Sequence, residues 1–164
     1  MSKKLKNKED KEPLQEAKEY AFFLLKYRPR TEKEICARLK RKNFEAGVIK
    51  TVLDFLKNRN FIDDESFARI WVESRIKKPL GLRRLKEELR VKGINKEIIE
   101  RALNEIKKGY DEEETINVLI SQKLEKSKGL DPEKAKRRIY AYLLRRGFSP
   151  EAVITAVSQL RIKS

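Results

Sequence analysis

The chain has 164 residues, 41% of them charged and 39% apolar, with a formal net charge of +15. A lone cysteine, Cys36, and the absence of histidine exclude a disulfide framework, a thiolate zinc cluster and a histidine-activated nucleophile. No apolar run approaches the roughly eighteen residues of a membrane span, and MSKKLKNKEDKE lacks the apolar stretch of a signal peptide, so a cytoplasmic protein without membrane contact is expected.

Residues 1–13, with a single Leu5, read as a disordered basic lead. Tyr20, Phe23 and Leu24 then mark the apolar face of a first helix. Thr31-Glu32-Lys33-Glu34 is a capping box: the threonine hydroxyl can accept from the third-residue N–H while the glutamate reaches back. The second helix carries Ile35 and Leu39, with Cys36 beside them as an expected buried structural thiol. Asn43 stops it, Phe44 follows, and Ile49, Val52, Leu53 and Leu56 form the stripe of a third helix. Residues 14–62 are thus one three-helix module.

The next, residues 63–110, opens on Asp63 and Asp64, whose carboxylates suit a helix N-terminus. Phe67, Ile70, Trp71 and Ser74 recur at helical spacing and predict one buried face. Trp71 belongs to the core by this spacing rather than to a base-stacking surface, and the same holds for Phe22 and Tyr27. Pro79 and Gly81 break the run, and Leu82, Leu85 and Leu89 carry the second helix to Gly93. Ile94 is placed to fold back, and Asn95 caps a helix bearing Ile98, Ile99, Ala102, Leu103 and Ile106. Residues 111–164 repeat the scheme with Ile116, Leu119 and Ile120, then Ile139 and Leu143, then Val153, Ala156, Val157 and Leu160. Asp131-Pro132 and Ser149-Pro150 each set a capping residue before a proline at the first helical position.

The modules align. I35-xxx-L39-xxxx-F44, L85-xxx-L89-xxxx-I94 and I139-xxx-L143-xxxx-F148 share one pattern, and Asn43, Gly93 and Gly147 hold the same stop position. All three residue types tolerate positive φ. A period of about fifty residues predicts an all-α protein of three tandem, helix-turn-helix-like repeats, stacked as an elongated curved array.

Every module is basic: 12 cations against 6 acids in residues 14–62, 13 against 9 in 63–110, and 11 against 8 in 111–164. That excess points to a polyanion or an acidic protein surface as partner. Opposite the apolar stripe of each second helix lie Lys33, Lys40 and Arg41, then Arg83 and Arg90, then Arg137 and Arg145. Two aligned positions are basic throughout. Lys42, Lys92 and Arg146 sit where a cation complements the helix dipole. Lys33, Arg83 and Arg137 have no such local reason in the first two modules and are the better binding candidates. Arg28-Pro29-Arg30, Arg75-Ile76-Lys77-Lys78 and Arg83-Arg84 add loops able to bracket phosphates or carboxylates. Catalysis has little to work with: there is no phosphate loop or nucleophile elbow, and the acids at 63–64 and 111–114 sit where helices start. No metal or cofactor is expected. A binding protein is predicted rather than an enzyme.

Three stretches resemble the RecX family of bacterial recombination regulators: YRPRTEKEICARLKRKNF (27–44), DDESFARIWVESR (63–75) and G-x-x-x-L-x-x-E-L-x-x-K-G-I (81–94). The third module joins chiefly through YLLRRGF (142–148), its connection from Leu124 to Asp131 being longer. The resemblance implies tandem three-helix repeats lying in the groove of a RecA filament on single-stranded DNA. It implies inhibition of RecA's ATPase, strand exchange and co-protease activity, by capping growth or promoting disassembly, and so a place in DNA repair, homologous recombination and the SOS response. Some family members also bind DNA directly. The expected protein is a monomer with RecA and single- or double-stranded DNA as partners. The alternative is a sequence-nonspecific DNA- or RNA-binding helical repeat protein, which would bind nucleic acid with a steep salt dependence and no RecA.

Overall fold

A computed structural model describes residues 12–127 and 129–160. Among them the regular structure is helical only: α1 (Pro13–Tyr27), α2 (Glu32–Arg41), α3 (Ala46–Asn58), α4 (Asp64–Ile76), α5 (Leu82–Val91), α6 (Lys96–Lys107), α7 (Glu112–Glu125), α8 (Pro132–Arg145) and α9 (Pro150–Ser158). The expected charged lead lies, as far as Lys11, outside the described residues. Pro13 already opens α1, at the first helical position, where its missing N–H costs nothing.

One stop motif recurs. Asn43, Gly93 and Gly147 adopt positive φ of 60°, 85° and 84°. The next residue's N–H reaches back to the helix: Phe44 to Leu39 O (3.3 Å), Ile94 to Leu89 O (3.1 Å) and Phe148 to Leu143 O (3.4 Å). These are Schellman closures, which satisfy carbonyls the helix would otherwise leave free. Starts are equally local. Thr31 and Glu34 form the reciprocal capping box. Asp63 accepts from the Glu65 and Ser66 amides at 2.9 and 3.0 Å. Asn95, Asp111, Asp131 and Ser149 cap α6 to α9 in the same manner.

The chain divides into two compact units, one up to Phe67 and one from Ala68 onward. In the first, α1, α2 and α3 enclose Ala17, Ala21, Leu24, Ile35, Leu39, Ile49, Val52, Leu53 and Leu56. Cys36 is partly buried against this core as a free thiol. The second unit holds most of the middle module and all of the last. Leu85, Leu89, Ile99 and Leu103 are buried where α5 packs on α6. Ile116, Leu119, Ile120, Ile139, Leu143, Phe148 and Val153 make the core of α7–α9.

The first helices depart from expectation in two modules. On α1 the buried residues are Ala17, Ala21 and Leu24, while Phe23 is 53% exposed. On α4 they are Phe67, Ala68 and Val72; Ile70 is 59% exposed and Ser74 also faces water. Ala17 and Ala21 on α1, and Ala68 and Val72 on α4, take the inner face at the i, i+4 spacing beside Leu24 and Phe67, so Phe23 and Ile70 are turned outward. Hydrophobic size alone misplaces such a stripe.

Within the second unit the two modules meet at backbone distance. The Gly81 N–H donates to Arg146 O (3.0 Å) and the Arg146 guanidinium to Pro79 O (3.0 Å), while within the middle module the Tyr110 hydroxyl donates to Leu80 O (2.9 Å). A Cβ on Gly81 would lie 2.1 Å from Gly147 O, and one on Gly147 would lie 2.4 Å from the Arg84 backbone nitrogen. Gly81 has an ordinary φ of −70° as the N-cap of α5. It is needed for space, and Gly147 for both space and its left-handed backbone.

Candidate functional site

Cations fall into two groups according to whether an acid or carbonyl of this chain already holds them. In the first unit the Arg28 guanidinium donates to both Glu34 carboxylate oxygens at 3.0 and 3.1 Å and to Pro29 O. Arg30 Nε donates to Leu24 O (3.1 Å), closing the C-terminus of α1. Both therefore secure the α1–α2 turn. Lys33, Lys40 and Arg41 are exposed on α2, and Lys40 and Arg41 have no side-chain partner among the described residues.

The middle module neutralises more of its charge. Glu88 on α5 receives Arg75 through two hydrogen bonds, Trp71 Nε1 at 3.1 Å and Arg84 Nε at 3.2 Å. Burial pushes the Glu88 carboxyl up, but the hydrogen bonds from Arg75 and Trp71 and the Arg75 charge outweigh it, leaving it below its ordinary 4.5. Arg90 is held by Glu87 and Lys86 by Glu100. Lys77, Lys78 and Arg83 are exposed, with no side-chain partner among the described residues.

The C-cap cations have a shared local role. Lys42 lies over the Tyr20 ring (5.4 Å), Lys92 over Trp71 (4.3 Å) and Arg146 over Tyr142 (5.1 Å). The dipole and an aromatic face together account for this basic position in all three modules. Trp71, half-buried between Lys92, Arg75 and Glu88, is structural. Phe22 and Tyr27 are not core: they are 37% and 69% exposed, Phe22 standing edge-on to Phe61 at 4.9 Å.

The last module differs. Between the C-terminal part of α7 and α8 lies a hollow of about 730 Å³ lined by Lys123, Lys126, Lys134, Arg137, Arg138 and Arg145. Among the described residues none of the six has an acidic partner; Lys123 lies instead over the Tyr142 ring, at 4.1 Å. The one lining carboxylate, Asp131, already accepts from the Lys134 backbone N–H as the cap of α8. A second hollow of about 320 Å³, at the seam of the two modules, is lined by Arg75, Arg84, Arg145 and Arg146 and shares Tyr142 and Arg145 with the first. The two hollows thus adjoin at Tyr142 and Arg145, with Arg75 and Arg84 on the seam side held by Glu88.

Sequence spacing singled out Arg137 and Arg145 but passed over Lys123, Lys126, Lys134 and Arg138. The available signal was positional. Lys134, Arg137, Arg138 and Arg145 share one face of α8 at offsets of 3, 4 and 11, a face free of acid. Of the acids at 111–114, Asp111 caps α7 as expected, whereas Glu112 accepts from Ser149 N–H and Oγ at 3.2 and 2.8 Å, a contact between α7 and the start of α9 that the spacing did not show. No group of three metal-binding side chains occurs among the described residues, and none of the helices is long and apolar enough to cross a membrane.

Comparison with known proteins places this architecture. Models of the first, second and third three-helix domains of RecX match residues 17–56, 63–103 and 111–157. The chain is 32% identical over 155 residues to the regulatory protein RecX of Streptomyces coelicolor, covering 94% of this chain and 82% of that one. It is 36% identical over 157 residues to that of Mycobacterium sp. (strain KMS), covering 91% and 85%. The fold is similar to the crystal structure of RecX from Lactobacillus salivarius, with a TM-score of 0.76 and 23% identity, over 90% of this chain and 96% of that one. Three matched domains in order, over a chain of three helical modules, lead to one conclusion: this chain belongs to the RecX family of regulatory proteins.

Proposed function

We propose that the protein modulates the RecA recombinase, chiefly as an inhibitor, by lying in the groove of the RecA–single-stranded-DNA filament. There it restrains ATP hydrolysis, strand exchange and co-protease activity. Membership of a regulatory family supports the direction of this reading. The observation that carries it is the basic hollow between α7 and α8, where six cations stand without acidic partners among the described residues. Buried or exposed, unpaired like charges repel one another, so a sequence keeps them together where something negative completes them.

The modules 14–62, 63–110 and 111–164 act as successive grips along a periodic partner. Arg137 and Arg145 in the cleft, Lys77, Lys78 and Arg83 before and on α5, and Lys33, Lys40 and Arg41 on α2 are the contacts to RecA carboxylates or DNA phosphates. Arg28, Arg30, Arg75, Arg84 and Arg90, held within the chain, mainly shape the surface that carries them. The protein works as a monomer, by binding and without a cofactor. Titration into RecA–single-stranded-DNA filaments while following ATPase tests this. Inhibition well below one copy per RecA is expected; an ATPase rate unchanged at saturating protein contradicts it.

A further inference from the structure

We propose that the first unit carries a docking surface of a different kind: an aromatic patch on the outer face of α1 that takes an apolar, acid-flanked protein segment, on RecA itself rather than on its DNA. This rests on the reading of the RecA filament as partner and adds how the first module holds the filament's protein component. Phe22, Phe23 and Tyr27 are 37%, 53% and 69% exposed, and Phe61, between α3 and α4, is 50% exposed. Phe22 stands edge-on to Phe61 at 4.9 Å and to Phe55 at 6.2 Å, and Phe23 edge-on to Tyr27 at 5.0 Å. At roughly 200 Å² per aromatic side chain, the open area is about 400 Å². That is the scale at which the largest apolar patch of a soluble protein is commonly a binding site.

Local structure holds these rings outward. Ala17, Ala21 and Leu24 fill the inner face of α1, which leaves Phe22 and Phe23 the outer one. Asn60 adopts a left-handed φ of 55°, and the Phe61 N–H reaches back to Leu56 O at 2.8 Å. That turn buries Ile62 and sets Phe61 at the surface against Phe22. Rings fixed in this way lose little side-chain freedom when a partner arrives. Nor does the shared helix plan require them. Phe22 aligns with Arg69 and Val118, and Tyr27 with Ser74 and Lys123.

Charge selects the occupant. Lys26 lies one turn on from Phe22 and Phe23, and Arg59 two residues before Phe61; both are exposed with no side-chain partner among the described residues. Lys18 lies over the Phe55 ring at 4.4 Å. Glu19, on the same face of α1, already accepts from Gln15 at 3.2 Å. An aromatic centre with open cations at its rim matches apolar side chains flanked by carboxylates. A second copy of this chain fits badly, because it sets cation against cation in a molecule of net charge +15. The open area is also about half of the roughly 800 Å² each partner gives to a standard interface, which suits one contact among several along a filament. Bases fit badly too: Phe22 and Phe61 cross at 89° and Phe23 and Tyr27 at 75°, so they offer no row of parallel faces.

The test measures binding of the full chain to RecA–single-stranded-DNA filaments and to oligothymidylate alone, each over a series of salt concentrations. Phe22→Ser/Phe61→Ser and, separately, Phe23→Gln/Tyr27→Gln should each bind filaments roughly tenfold more weakly. Their salt slope should match the parent's, since the lost contact is apolar, and both should bind oligothymidylate within about twofold of the parent. The second pair lies wholly on the outer face of α1, so its loss of affinity does not reflect a damaged α1–α3 contact. Lys26→Glu/Arg59→Glu should weaken filament binding at low salt and converge on the parent at high salt. Val91→Ser/Ile154→Ser removes exposed aliphatic side chains elsewhere and should change filament affinity less than about twofold. The proposal is overturned if both aromatic variants bind filaments as the parent does. It is equally overturned if they lose as much affinity for oligothymidylate, which makes the rings a platform for bases, or if the parent sediments as a dimer that they dissociate. A parent that fails to bind filaments contradicts the RecA reading itself and shows before any variant is compared.

Discussion

The middle and last modules share a helix plan, a stop motif and a basic composition, yet they treat their cations oppositely. In α4–α5 a single carboxylate, Glu88, gathers two arginines and a tryptophan into a partly buried knot. In α7–α8 six cations line a hollow with no acid assigned to them. The lesson is that a basic residue at a repeated position does not have a repeated role. Whether it is support or contact depends on whether a carboxylate from the neighbouring helix reaches it.

Several perturbations sharpen that contrast, and the greatest effect belongs to the seam joining the two modules. Gly147→Ala adds a left-handed backbone cost of about 1–2 kcal/mol to an overpacking cost of about 1–3 kcal/mol against Arg84. Chemical denaturation should register the sum as a lowered midpoint. A loss below about 1 kcal/mol would mean that the modules do not interlock there.

Next comes Glu88→Ala, which deprives Arg75, Arg84 and Trp71 of their acceptor. A partly buried, charged hydrogen-bond partner is lost at a cost of about 1.5–3 kcal/mol. The same knot sets a pH dependence. Because the folded Glu88 carboxyl lies below its ordinary 4.5, its contribution is full above that value and is lost as pH falls through the folded pKa. Denaturation midpoints of the parent should drop more steeply below pH 4.5 than those of the Glu88→Ala variant. Parallel curves would contradict the assignment.

Tyr110→Phe removes the hydrogen bond to Leu80 O and should cost about 1 kcal/mol. The hydroxyl is half-buried, and burial, with the nearby Glu112 charge, pushes its pKa up to about 12. The smallest effect has the opposite sign. Arg138→Gln relieves like-charge repulsion in the cleft and should raise stability by about 0.2–0.5 kcal/mol, visible as a small upward shift in the melting temperature. A drop would indicate that Arg138 has an internal partner.

The sequence showed those features whose physics is local. Capping boxes, proline starts and left-handed stops involve residues within about six positions, so Thr31, Asn95, Asn43, Gly93 and Gly147 were all readable. The inner faces of α1 and α4 were readable only at Leu24 and Phe67, because alanines and a valine there pack closely and leave Phe23 and Ile70 outside. Gly81 read as a helix breaker, whereas its requirement arises from Gly147, 66 positions later. The candidate site divides in the same way. Arg137 and Arg145 followed from periodicity within one helix. The knot around Glu88 and the wall supplied by Lys123 and Lys126 depend on how separate helices pack, which no pattern along one helix encodes.

The most direct measurement of the central claim is lysine footprinting by mass spectrometry, comparing the free protein with the protein bound to RecA–single-stranded-DNA filaments. Lys123, Lys126 and Lys134 should be shielded from acylation in the complex, while Lys50 and Lys96 keep their free reactivity. Equal reactivity of all five in both states, or shielding confined to Lys50 and Lys96, would contradict the account.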